Sequence, residues 1–325
     1  MTERLRGFAR WETALVLLLV IVAIVGQERT GGAFLSSGNL FYLGLDIGEI
    51  ALIALPLTLV VVSGEIDLSV ASVLGLSSAL IGELWDAGWT IEAILPTVIA
   101  VGAVCGAING LLVTRLGLPS LAVTIGTLAL YRGLALVVLG DRAVADFPAS
   151  YTQFGTTPVP GTSLPYPILL CAVLAIAFAI TLHFSSFGRS VHAIGANEEG
   201  ARFSGVRVKR VKLILFILTG AIAALAGIVY TFRFSSARAD NGAGLELAVV
   251  AAVLLGGVSI FGGRGTLGGV LAGVLLLGGL RNVLILDDVS TEILTVVTGL
   301  LLLVSVLAPS LTTRIRSSST GRSLP

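Results

Sequence analysis

Long apolar blocks, broken by short polar or glycine-rich stretches, repeat along nearly the whole chain. A membrane-crossing helix needs about 20 mostly apolar residues. That length picks out ten blocks, near 12–28, 46–63, 68–84, 92–114, 119–139, 165–184, 213–232, 246–262, 265–281 and 291–308. The pattern predicts an all-α fold, a polytopic membrane helix bundle of about 10 transmembrane helices. Only Ser63-Gly64-Glu65-Ile66-Asp67 separates the second and third blocks, and only Gly262-Gly263-Arg264 separates the eighth and ninth. Each of these pairs could instead be one broken or re-entrant segment, which gives eight or nine crossings as alternatives.

Arg4, Arg6 and Arg10 precede the first block, as in a secretory signal, but its apolar stretch 14–25 ends in Gly26-Gln27-Glu28-Arg29 without a small-x-small cleavage site. An uncleaved first helix is expected. With the N-terminus inside, fourteen of the 20 Lys and Arg residues fall on cytoplasmic pieces and five on outer ones, with Arg132 inside a span. Cytoplasmic loops of membrane proteins carry such an excess. Both termini are therefore predicted to be cytoplasmic, which requires an even number of spans, ten or eight.

Composition supports the same class. Of the 325 residues, 55% are hydrophobic and 12% charged, with a mean hydropathy of +1.01. Soluble domains carry about 25% charged residues, so a soluble enzyme, a nucleic-acid binder and a disordered chain are excluded. A net charge of +1 implies no bulk attraction to anionic partners. Cys105 and Cys171 lie inside apolar blocks and read as packing residues, and His183 and His192 are nine apart without metal-ligand spacing. No metal site is expected. No Gly-x-x-x-x-Gly-Lys-Ser/Thr loop occurs anywhere in the chain, so nucleotide hydrolysis by it is not expected. Charges inside the spans are scarce, whereas ion-coupled transporters usually bury carboxylates there.

Gly102, Gly106 and Gly110 form a ladder at four-residue spacing, as do Gly265, Gly269 and Gly273. Such ladders let helix backbones approach closely in lipid. Two connections are long. The outer one, 140–164, holds Pro148, Pro158, Pro160, Gly155 and Gly161 and reads as an irregular surface loop. The inner one, 185–212, contains a two-turn helix over 197–205: Asn197 as N-cap, Glu198 and Glu199 at the positive start, Arg202 near the negative end and Gly205 as the left-handed stop. So short a helix needs a partner surface, which points to something docking there.

Four ordered motifs resemble the sugar ABC-transporter permeases, the membrane subunits of ribose, xylose, arabinose, galactose, rhamnose and autoinducer-2 importers. They are Gly64-Glu65-Ile66-Asp67-Leu68-Ser69-Val70; the inner-loop run from Gly188-Arg189 through Ala193-Ile194-Gly195-Ala196-Asn197-Glu198-Glu199 to Ser204-Gly205; Thr124-Ile125-Gly126-Thr127-Leu128 with Tyr131-Arg132-Gly133-Leu134; and Leu255-Gly256-Gly257-Val258-Ser259-Ile260-Phe261-Gly262-Gly263-Arg264-Gly265. The resemblance covers about residues 40 to 308. Glu65 stands where the family usually has a second glycine, and Ala71 where glycine is common.

The resemblance implies one transmembrane permease domain over 1–325, with 185–212 as a cytoplasmic coupling loop and 309–325 as a cytoplasmic tail, in the plasma (inner) membrane of a prokaryote. It implies a path for a monosaccharide or similar small polyol, and no enzyme activity or cofactor in this chain, ATP being used by a partner. The partners implied are an ABC ATPase subunit at the cytoplasmic face, an extracytoplasmic sugar-binding protein and a second permease subunit, identical or homologous. Asn197, Glu198, Glu199, Arg202 and Gly205 would form the ATPase docking helix. A stand-alone secondary transporter or channel for a small neutral solute is the alternative.

Thr124, Thr127 and Tyr131 recur at i, i+3 and i+7 and so share a helix face. Their hydroxyls suit a neutral sugar and mark a candidate substrate path, with Asn109 as a further candidate. Hydrogen bonding to backbone carbonyls within the bundle is the alternative. Asp67 is placed to cap the third span by accepting from the N–H groups of its first turn, or else to act as a gate.

Overall fold

The computed structural model describes residues 2–290, 292–301 and 303, with side chains from position 11 onward. Among these residues all regular elements are helices, and the only extended pairings are isolated bridges between Val144 and Ala237 and between Pro158 and Pro165. In chain order the helices are α1 (Thr2–Arg29), α2 (Ser37–Val62), α3 (Val70–Asp86), α4 (Ile91–Leu116), α5 (Ser120–Leu139), α6 (Ala149–Thr156), α7 (Tyr166–Ala179, running on into a π turn at Ile180–Phe184), α8 (Ser186–Ala196), α9 (Glu198–Phe203), α10 (Val208–Phe234), α11 (Leu245–Leu255), α12 (Leu267–Leu286) and α13 (Glu292–Leu301).

Seven of these are long and apolar enough to cross a membrane: α1 from Trp11, α2, α4, α5, α7 with its π turn, α10 and α12. Each of the ten predicted blocks holds a helix, but those in the third, eighth and tenth places are short. α3 has 17 residues and α11 has 11. The end of the tenth block and the 309–325 tail lie outside the described residues. α2 begins nine positions before its predicted start, because Ser36 Oγ caps it by accepting from the N–H of Asn39 (3.3 Å). Asn39 then exchanges two side-chain amide bonds with Asn282 of α12 (2.8 and 3.1 Å).

α2 is the axis of the bundle. From Gly44 to Val62 all its residues but Asp46 are buried, against α7, α10, α11 and α12. α4 lies against α10 through the predicted ladder. A Cβ on Gly106 would sit 2.1 Å from the Phe216 carbonyl oxygen, and one on Gly220 the same distance from that of Gly102. α1 and α12 run in the same direction: Trp11 Nε1 donates to Leu255 O (3.0 Å) and Thr266 Oγ1 to Glu12 (2.5 Å) at one end, and Arg29 pairs with Asp287 (3.3 Å) at the other. The outside of the bundle is apolar, with Val104, Ile108 and Leu111 exposed on α4 and Leu169, Val173, Ile176 and Ile180 on α7. Continuous apolar faces of this size need lipid or another protein against them.

Both long connections depart from expectation. The outer one contains α6, entered at Pro148 and held by Tyr151 against the ring of Phe232 of α10 (5.8 Å) and by Gly155 against the Arg233 backbone. The inner one contains α8 before the predicted helix. Ser185 Oγ caps α8 by accepting from Gly188 N (3.0 Å), and Val191 and Ile194 are buried. Packing against α2 and α10 orders α8 where local sequence signals a loop.

Candidate functional site

The loop between α2 and α3 carries a buried polar seam into the bundle. Asp67, 1% exposed, accepts through Oδ1 from the Ser69 N–H (2.9 Å) and the Ser69 hydroxyl (2.6 Å). Asn109 of α4 donates to Ser69 Oγ (2.8 Å). The Tyr131 hydroxyl donates to Cys105 O (2.9 Å) and lies 3.4 Å from Asn109 Oδ1. Thr124 Oγ1 donates to Ile66 O (3.2 Å), and the Ile66 N–H donates to Ser120 Oγ (3.1 Å). Residues of three separate sequence stretches thus meet in one network, which is the interhelical bonding weighed as the alternative for these hydroxyls. Thr127 lies one turn from Thr124 and bonds its own helix at Val123 O (3.1 Å).

Asp67 does not cap α3 as expected. The helix starts three positions later, at Val70, and its N-cap Ser69 makes no side-chain cap bond, so Asp67 closes a tight turn around Ser69 instead. Burial pushes the Asp67 carboxyl above its ordinary range, and the Ser69 and Asn109 side chains pull it back. Ala71, the second departure from the family pattern, is wholly buried, and its carbonyl accepts from Arg132 Nη2 (3.2 Å).

At one end of the bundle three segments converge. Gly263 N donates to Val62 O at the end of α2 (2.8 Å), and a Cβ on Gly195 would lie 1.9 Å from that same oxygen. α9 stands at this junction. Asn197 Oδ1 accepts from Gly200 N (2.9 Å) and Gly205 takes φ +85°, as the sequence predicts, and Glu199 pairs with Arg202 (3.8 Å). Glu198 instead faces Lys212 of α10 (2.6 Å), whose ammonium also holds Glu65 of the α2–α3 loop (2.5 Å). Phe203 at the end of α9 and Phe261 in the loop between α11 and α12 are each 85% exposed.

The opposite end is held by charge. Arg233 of α10 pairs with Asp46 and with the buried Glu49 of α2 (3.1 Å). Arg132 binds the Ala239 and Asn241 carbonyls (2.8 and 3.0 Å), and Arg142 bridges Glu83 and Asp86 (2.8 and 3.1 Å). Sequence reasoning passed over Glu49 and Arg233. The available signal was a pair of acids, Asp46 and Glu49, one turn apart inside an apolar block.

No cluster of His, Cys, Asp or Glu able to hold a metal ion occurs among the described residues. Cys105 and Cys171 are buried and free, and His183 Nε2 accepts from Leu267 N (3.3 Å). The site therefore consists of a buried polar seam, an ion-paired junction and an exposed aromatic end.

The family described as "Branched-chain amino acid transport system / permease component" matches residues 39–306. The chain belongs to that family. It is a multi-pass transport permease, the membrane subunit of an ABC-type importer, rather than an enzyme. The permease is 35% identical over 308 residues to the autoinducer 2 import system permease protein LsrD of Yersinia enterocolitica, covering 93% of this chain and 92% of that one. It is 34% identical to the LsrD of Yersinia pseudotuberculosis over 308 residues, and 34% identical to that of Klebsiella pneumoniae over 307. No solved structure matches the permease.

Proposed function

We propose that the permease forms the import path for autoinducer-2 or a monosaccharide of similar size, driven by a separate ATPase that docks on α8 and α9. The observation that carries this reading is the end-to-end match to LsrD proteins at 35% identity. Phe203, exposed at the end of a capped short helix, offers the ATPase an apolar anchor. An extracytoplasmic binding protein delivers substrate at the Arg142 end, and a second permease subunit completes the pore. The path runs along the α5 face that holds Thr124, Thr127 and Tyr131, next to Asn109, with Asp67 at its inner end.

In this reading the chain crosses ten times, with α3, α11 and α13 as short passes and both termini cytoplasmic. The Lys and Arg asymmetry supports that orientation, and the parallel run of α1 and α12 fits their places as first and ninth crossings. Uptake of isotope-labelled autoinducer-2 in cells lacking their own importer tests the function. The reading requires uptake only when permease, its second permease subunit, ATPase and binding protein are expressed together. Uptake by the permease alone would establish the stand-alone transporter instead.

A further inference from the structure

The α2–α3 loop and α9 lie far apart in the chain, yet a single side chain joins them. Lys212 Nζ sits 2.5 Å from Glu65 and 2.6 Å from Glu198. We propose that Lys212 is a positioning residue that transmits displacement of α9 to the α2–α3 loop through these paired bonds. The inference rests on the reading of α8–α9 as the ATPase docking element, and extends it to a residue outside the docking helix.

The bridge is dry at one end and wet at the other. The side chains of Lys212 and Glu65 are 9% and 13% exposed, that of Glu198 54%. Separating the poorly hydrated Lys212–Glu65 pair strands two charges, and releasing Glu198 leaves the buried Lys212 ammonium with one counter-charge in place of two. Lys212 therefore stays with Glu65, and a shift of Glu198 pulls on both. α9 has few other holds, since Ala201 is its only buried residue. Beyond Glu65, Ile66 is fastened to α5 at Ser120 and Thr124, and Asp67 follows. A pull on Glu65 thus reaches the seam within two residues.

The test uses the permease–ATPase complex in liposomes, with Ile66→Cys as a reporter labelled by a maleimide with and without ATP. Ile66 is bonded through its backbone, so its side chain can be exchanged, and the native Cys105 and Cys171 are buried. With the bridge intact, ATP should change the labelling rate. Adding Glu65→Gln or Lys212→Met should shrink that change at least about fivefold, the lower end of usual coupling factors, with ATP hydrolysis continuing in Glu65→Gln. Lys212→Arg, which keeps both pairs, should restore it. An ATP response that survives Glu65→Gln and Lys212→Met would overturn the proposal, and so would no ATP response in the intact bridge. Loss of complex without a change in the response of what remains would show a mere brace and overturn it too. If no ATPase co-purifies with the unmodified permease, the docking reading itself fails.

Discussion

Replacing Gly106 with alanine measures how closely α4 and α10 are held. The added methyl would lie 2.1 Å from the Phe216 carbonyl oxygen and 2.8 Å from its carbon. Carbon and oxygen meet at about 3.3 Å in ordinary close contacts, so the helices must part by about 1 Å at this level. The obstructing atom is mid-helix backbone and cannot rotate aside. Overpacking of this kind costs about 1–3 kcal/mol, and the opened gap forfeits part of the dispersion contact on either side. Alanine's better helix propensity returns at most about 1 kcal/mol. A net loss of about 2 kcal/mol corresponds to about 3 °C in Tm for a chain of 325 residues.

A thiol-reactive fluorophore reads unfolding of the purified permease in detergent, because Cys105 and Cys171 are both buried and free. Gly126→Ala is the control: nothing lies within 4 Å of its added carbon, so Tm should hold or rise slightly. Gly220→Ala presses on Gly102 from the other helix, again at 2.1 Å. The two helices need part only once, so the double variant should lose less than the sum of the singles. Equal Tm values for Gly106→Ala and Gly126→Ala, or strict additivity of Gly106→Ala with Gly220→Ala, would refute the close-contact argument.

Two further perturbations follow from the buried polar groups. Asp67→Asn should keep uptake near normal, since an amide oxygen can accept both Ser69 bonds. Asp67→Ala orphans two buried donors and should lower stability by about 1–3 kcal/mol. Abolished uptake with Asp67→Asn in a stable, assembled complex would make Asp67 a gate instead. Arg233→Met strands Glu49 and should cost about 3–5 kcal/mol. Combining it with Glu49→Gln should recover most of that in the same unfolding assay, and no recovery would show that Arg233 acts mainly through its packing.

The helices were legible because long apolar blocks need no partner to be recognised, and the caps of α9 were legible because Asn197, Glu198 and Gly205 signal locally. α8 was not, since Gly188 and Gly195 weaken its helical pattern and its order comes from α2 and α10. The seam was half legible. Shared-face spacing grouped Thr124 with Tyr131, but only the folded loop brings Ile66 and Asp67 to them. Ion pairs between residues 147 positions apart, as for Glu65 and Lys212, leave no local trace at all.

The wrapping of α2 bears on how the chain is made. Its sides face other helices from Gly44 to Val62 in the finished bundle, yet α10, α11 and α12, which supply much of that cover, are synthesised long after it. During translation α2 must rest in bilayer that it later abandons. Its all-round apolar surface therefore serves insertion, and its packing is a second use of the same side chains. Glu49 is the exception, because its counter-charge Arg233 emerges 184 residues later. Until α10 inserts, that carboxyl must stay near headgroups or carry a proton, so the arrival of α10 both closes the bundle and lets α2 settle to its final depth.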